Sequence, residues 1–228
     1  MSVVVLLGAP GAGKGTQAPI LARHLDVPVL ASGDLLRAAV AAGTRLGRDA
    51  DRYMSRGQLV PDETIVRVFL DRLDQPDARR GAILDGFPRT RVQAEALDDA
   101  LAEAGRRVDA SVYIDVPTEE LIARMANRRI CTANGHVYNL SSNAPRVAGV
   151  CDVDGSPLIQ RPDDHEATVR ARMAEQIKPL LDVVDHYRSR GILADVDGRD
   201  PIDAVSGRIV EAVDAAVAAG PPPAAGGR

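Results

Sequence analysis

Apolar positions follow two rhythms along this chain of 228 residues. Short, mostly apolar runs at Val3-Val4-Val5-Leu6-Leu7, 27–31, 82–85, 110–116 and 192–196 read as buried strands, because a strand covered on both faces has no polar side to alternate with. Between them, apolar residues three or four apart predict helices over 14–25, 62–73, 91–104, 164–190 and 201–218. The alternation predicts an α/β chain with a parallel sheet and helical crossovers. Pro19 and Pro179 fall inside two of the helical patterns, where each removes a backbone donor.

Two stretches leave this rhythm. Residues 31–60 carry short helical pieces broken by Gly43 and Gly57, with Ser32 or Asp34 as an N-cap, and read as a small lobe. Over 127–164 the helical period stops, and Gly135, Gly149 and Gly155 alternate with Pro145 and Pro157. That span is too long for a connection and reads as an inserted mobile lobe. The core is then 1–30, 61–126 and 165–218, and the Pro/Gly/Ala-rich tail 219–228 is expected to be disordered.

Composition narrows the class. Aromatic residues make up 3% and Trp is absent, so Val, Leu, Ile and Ala must form the core. A net charge of -4 argues against nucleic acid held by bulk charge, so any anion site is local. No apolar run reaches membrane-spanning length and no secretory leader is recognisable, which gives the expectation of a cytoplasmic protein without a membrane partner. Two cysteines do not make a secreted disulfide framework.

The sharpest chemical signal follows the first strand. Gly8-Ala9-Pro10-Gly11-Ala12-Gly13-Lys14-Gly15-Thr16 has GxxxxGK spacing with strand before and helix after, the context of a phosphate-binding loop. Glycines let backbone N–H groups turn inward, the helix offers its positive dipole end, and Lys14 adds a mobile charge for the β- and γ-phosphates. Gly11, Ala12, Gly13, Lys14, Gly15 and Thr16 are therefore candidates to bind a triphosphate.

GAPGAGKGTQA, SGDLLRAAV, GQLVPDE, LDGFPRTRVQA and QRPDDHEATVRAR stand in order along the chain, which in these motifs resembles the adenylate kinases of the long, lid-bearing bacterial type. The resemblance covers residues 1 to about 215. It implies the P-loop nucleoside-monophosphate-kinase fold: five parallel strands flanked by helices, an AMP-binding lobe at 31–60 and a lid at 127–164. It also implies the reaction ATP + AMP ⇌ 2 ADP with Mg²⁺, in a monomer whose partners are ATP, AMP and ADP. Transfer between two polyanions needs positioning and charge neutralisation, which arginine forks supply.

By position in the family's motifs, Lys14, Arg89, Arg128, Arg161, Arg172 and Asp85 are expected to be catalytic, with Asp85 orienting magnesium-bound water. Ser32, Arg37, Gln58, Leu59, Val60, Gly86, Phe87, Pro88, Arg89, Gln93, Arg161 and Arg172 are expected around AMP. The Gln93 amide carries both donor and acceptor for an adenine edge. On the ATP side stand Arg124, Arg128, Val137, Tyr138 and Asp200, with Arg124 and Arg128 read as sharing one helical face. Bland readings compete for single residues: Ser32 as a helix cap, Asp85 as a turn cap, Tyr138 as lid packing. Another nucleoside-monophosphate kinase and a non-catalytic nucleotide-binding regulator are the competing functions.

Many relatives clamp the lid with zinc through two Cys-x-x-Cys-like pairs, and the matching positions here are Cys131, Asn134, Cys151 and Asp154. Thiolates and a carboxylate suit Zn²⁺ whereas a neutral amide is poor. Three arrangements stay open: a zinc site completed by water or a substitute such as His136, two inert thiols in a hydrogen-bonded lid, or a disulfide.

Overall fold

A computed structural model describes residues 2–56 and 58–220. The first strand, β1 (Ser2–Leu7), runs through a glycine-rich loop into α1 (Lys14–Leu25). There follow β2 (Val29–Ala31), α2 (Ser32–Ala41), α3 (Arg45–Met54) and α4 (Asp62–Leu73). Next come β3 (Gly81–Asp85), α5 (Arg91–Glu103), β4 (Ala110–Asp115) and α6 (Thr118–Ala126). An inserted segment holds β5 (Arg128–Cys131), β6 (Val137–Asn139) and β7 (Leu158–Ile159), before α7 (Glu166–Ser189), β8 (Leu193–Asp197) and α8 (Ile202–Ala219) close the chain.

Five strands form one parallel sheet in the order β2-β3-β1-β4-β8, as expected. β1 lies in the middle, with Val4 level with Ile83 on one side and Ala110 on the other. Its Val-rich run is buried on both faces. Leu6, Ile83 and Ile114 are at most 1% exposed, and each such side chain withdrawn from water stabilises by about 1.5–3 kcal/mol. Helix α1 packs with α8, and α5 with α4 and α7. The crossovers from the neighbouring strands β1 and β3 run to opposite sides of the sheet, and a crevice opens beyond the carboxyl ends of these two strands.

Several expectations shift. β2 begins two residues late because Pro28 has no N–H for the ladder, although its carbonyl still accepts from Ile83 N at 2.9 Å. The 3-10 turn Pro162–Asp164 delays α7 to Glu166, and α1 and α7 run through Pro19 and Pro179. Ala31, not Ser32 or Asp34, is the N-cap of α2, with no side-chain cap bond. Gly43 does separate α2 from α3, at φ +61, whereas Gly57 lies outside the described residues. α8 continues to Ala219, and most of the expected disordered tail, 221–228, lies outside the described residues. The aperiodic span is not featureless: β6-β5-β7 make a small antiparallel sheet with its own cluster of Cys131, Tyr138, Cys151 and Leu158. Among the described residues no helix is long and apolar enough to cross a membrane.

Candidate active site

A cleft of about 1200 Å³ opens at the carboxyl edge of the sheet, between the glycine loop, the start of α2, α7 and the inserted segment. Gly13 caps α1 at φ +101, a left-handed backbone that a side chain resists, so the loop can aim N–H groups at an anion. A Cβ on Gly11 would come within 3.0 Å of Leu121 O and Met125 Cγ, so the loop lies tight against α6.

Lys14 Nζ rests on two loop carbonyls, donating to Gly8 O at 2.6 Å and Ala9 O at 3.2 Å. Burial lowers its pKa to about 8, with Asp85 opposing and Arg89, Arg172 and Arg128 adding to the fall. Arg89 donates from Nε to Gly86 O at 2.7 Å, from Nη2 to Ser32 Oγ at 3.0 Å and from Nη1 to Gln176 Oε1 at 3.4 Å. Burial, then Arg172, lowers its pKa to about 10. Burial is also the first cause that lowers Arg161 and Arg172, with Arg37 and Arg128 adding to both. Arg172 is anchored by Asp163 Oδ2 at 2.9 Å, and Arg37 by Asp34 at 2.6 Å. Asp85, ending β3 beside this group, is pushed up by burial and held down by Lys14 and Arg89. Cations thus crowd one another against the cost of burial, an arrangement that a polyanion would relieve.

The cleft also gathers Gly15, Thr16, Ser32, Gly86, Pro88, Arg124, Arg128, Val137, Tyr138, Arg161 and Asp200. Gln58, Leu59, Val60, Phe87 and Gln93 are not in its lining. Phe87 is buried and stacks on Phe69 with ring centroids 4.1 Å apart. Gln93 is 1% exposed, its Oε1 accepting from Arg89 N at 2.7 Å and its Nε2 donating to Asp62 Oδ1 at 2.7 Å. Ser32 donates to Gly86 O at 2.8 Å, a link across 54 residues that a cap reading misses. Arg124 and Arg128 do not share a helical face: α6 ends at Ala126, and Arg128 opens β5. Arg124 donates to Glu120 Oε1 at 2.6 Å and Gly198 O at 2.9 Å. Arg128 forks onto Asp164, whose side chain is fully buried. Asp200 pairs with Arg208 at 2.8 Å. Tyr138 is buried among the segment's thiols, as the packing reading has it, while also bordering the cleft.

Asp163, Asp164 and Gln176 were not singled out from the sequence; for the two aspartates the signal lay in QRPDD, read for its arginine alone, whereas Gln176 carried none. In the inserted segment Cys131 Sγ, His136, Cys151 Sγ and the Asp154 carboxylate have ligand atoms all within 4.8 Å of one another. Both cysteines are free thiols, so the disulfide alternative is not what the fold contains.

A parallel sheet carrying a glycine-walled cradle, with a lysine and four guanidinium groups converging beyond its edge, defines a P-loop phosphotransferase. Comparison with known proteins narrows this class. A family model described as adenylate kinase matches residues 6–192. The adenylate kinase of Staphylococcus aureus strain Mu50 is 43% identical over 211 residues, covering 92% of this chain and 98% of that protein. That of Staphylococcus epidermidis strain RP62A is 42% identical with the same coverage. The chain belongs to the adenylate kinase family.

Proposed function

We propose that this chain, a phosphotransferase by family, moves the terminal phosphoryl group of ATP to AMP, giving two ADP, in the cleft beside Lys14. The observation that carries the reading is the gathering of Lys14, Arg89, Arg128, Arg161 and Arg172 around one cleft that also takes in the glycine loop and Ser32. Two nucleotides held tip to tip need such charge at the transferring group, and no base is required because the AMP phosphate is already an anionic nucleophile. The loop 11–16 with Arg124, Arg128, Val137, Tyr138 and the backbone at Asp200 takes ATP. Ser32, Arg37, residues 58–60, Gly86, Phe87, Pro88, Arg89 and Gln93 serve AMP, with Arg161 and Arg172 closing on the phosphates. Gln93 spends one N–H and one lone pair internally and keeps one of each for an adenine edge.

The carboxylate of Asp85, which lines the cleft with Gly15 and Thr16, fits magnesium carried in by the nucleotide, an ion that keeps several waters and binds largely through phosphates. Mg²⁺ there supplies neutralisation of phosphate charge, with Asp85 orienting its water. Zinc in the inserted segment belongs to the same reading, since two thiols and a carboxylate match its ligand preference. In this reading 31–60 and 127–164 are lobes that close on a core of 1–30, 61–126 and 165–218 and exclude water. The chain acts as a cytoplasmic monomer that needs neither nucleic acid nor a membrane.

A coupled assay with AMP, CMP, UMP and GMP as acceptors tests the reaction. ADP formation with AMP preferred by at least tenfold is expected. A pyrimidine preference would instead make it a different monophosphate kinase, and ATP binding without any ADP formation would make it a regulator.

A further inference from the structure

Spacing alone designates position 134 as the fourth corner of the metal site in the inserted segment, but the fold turns another residue into that corner. Gly135, at φ +70, lets the chain reverse after Asn134, and Cys131 N then donates to His136 O at 2.9 Å. This pairing sets His136 beside the two thiols. His136 Nδ1 stands 3.3 Å from Cys151 Sγ and 3.3 Å from the nearer Asp154 oxygen, Oδ2, which is 3.2 Å from Cys131 Sγ. Bonds of about 2.0–2.3 Å in a tetrahedron put neighbouring donors about 3.3–3.8 Å apart, close to the spacing already present.

Asn134 is placed differently. Its amide nitrogen donates to Asp154 Oδ2 at 2.8 Å, and its backbone N–H points to Cys131 Sγ at 3.5 Å. Those are the contacts of a group that orients ligands from outside. Tyr138 does the same for the other thiol: its oxygen accepts from Asp152 N at 2.8 Å, which leaves its own hydrogen for Cys151 Sγ at 3.5 Å.

We propose that Cys131, His136 through Nδ1, Cys151 and Asp154 are the zinc donors of this chain, and that Asn134 is a positioning residue and not a ligand. The inference rests on the reading that the inserted segment holds zinc. Loading Zn²⁺ releases the two thiol protons to solvent and leaves the imidazole neutral.

Full-length protein prepared without chelator is measured for zinc and, after exchange, for the cobalt(II) spectrum. About one equivalent is expected in the parent and in Asn134→Ala, with affinity lowered by no more than about 10–100-fold in the latter. In His136→Ala zinc should fall below a tenth of an equivalent and the tetrahedral cobalt bands should vanish. Zinc retained by His136→Ala and lost by Asn134→Ala overturns this donor set while leaving a zinc site. A parent without zinc or a cobalt spectrum overturns the underlying reading as well. Should His136→Ala fail to fold, X-ray absorption at the zinc edge of the parent decides: imidazole scattering supports the assignment, and its absence refutes it.

Discussion

Replacing Asp164 by Ala probes the joint between the inserted segment and the core. Arg128 Nε donates to Asp164 Oδ2 at 2.8 Å and its Nη2 binds the other oxygen, so one fork links the start of β5 to the turn before α7. The carboxylate is 0% exposed and the arginine side chain 23%. Removing one member of a buried pair costs about 3–5 kcal/mol because the other is left uncompensated. Here the arginine keeps a path to cleft water, which lowers the expectation to about 2–3 kcal/mol. At about 2–4 °C per kcal/mol for a chain of this size, the midpoint of calorimetric unfolding should drop by about 4–12 °C. A control exists at the surface, where Arg72 also forks onto a carboxylate, through Nη1 and Nη2 to Asp77 at 2.8 and 2.6 Å, but with Asp77 56% exposed. Asp77→Ala should lower the midpoint far less than Asp164→Ala, because an exposed pair is screened by water. Equal losses at the two sites would show that burial is not what gives the Arg128 fork its weight. Combining Arg128→Met with Asp164→Leu should recover most of the loss, as apolar replacements of buried pairs do.

Arg89→Ala should lower turnover by about 10²–10³-fold or more while leaving stability unchanged or raised, because this buried guanidinium has no ion-pair partner among the described residues. Steady-state kinetics with denaturant unfolding checks both halves, and unchanged turnover would remove Arg89 from the site. Since the Lys14 ammonium titrates near pH 8 in the free protein, affinity for the ATP phosphates, read by titration calorimetry, should weaken as pH rises through 8. Its folded pKa lies below the ordinary 10.5, so the unfolded chain binds more protons between pH 8 and 10.5 and Lys14 makes stability rise with pH across that window. A flat affinity profile from pH 7 to 9 would contradict the burial of this charge. Gly86→Ala forces a side chain into φ +73, at about 1–2 kcal/mol, and sets Cβ 2.7 Å from Ser32 Oγ and 3.0 Å from Arg89 Nη2. The KM for AMP should rise several-fold with the Kd of ATP unmoved; an unaltered KM would show that Ser32 and Arg89 do not serve the acceptor.

What could be read from the sequence was local. β1, β3 and β4 announced themselves because Val, Ile and Leu runs buried on two faces need no partner to be recognised, the less buried β2 and β8 by their short apolar character, and the glycine loop because its residues are consecutive. The misreadings sit at element ends without a clear stop and at partners far away in the chain. Arg128 looked helical because α6 ends without a Gly or Pro stop, at Asn127. β5, β6 and β7 have four, three and two residues, too few for a period of two to show, so their sheet was invisible. Asp164 reads as a surface carboxylate until the fold closes a cation 36 residues upstream onto it.

Local reading also located the cations without revealing their cost. Arginines and a lysine named by position along the chain are an inventory, whereas a Lys14 pKa near 8 and an Arg89 pKa near 10 mean that the fold holds these charges where water would otherwise solvate them better. The network of Gly86 O, Ser32 Oγ and Gln176 Oε1 holds Arg89 by neutral acceptors, which keep its full charge available for phosphate. Carboxylates hold Arg37, Arg128 and Arg172 instead, through Asp34, Asp164 and Asp163, and on the proposed reading each is a tether that an anion of higher charge must displace. On that reading Arg89 meets phosphate without giving up an ion pair, whereas Arg37, Arg128 and Arg172 must first exchange a carboxylate for it.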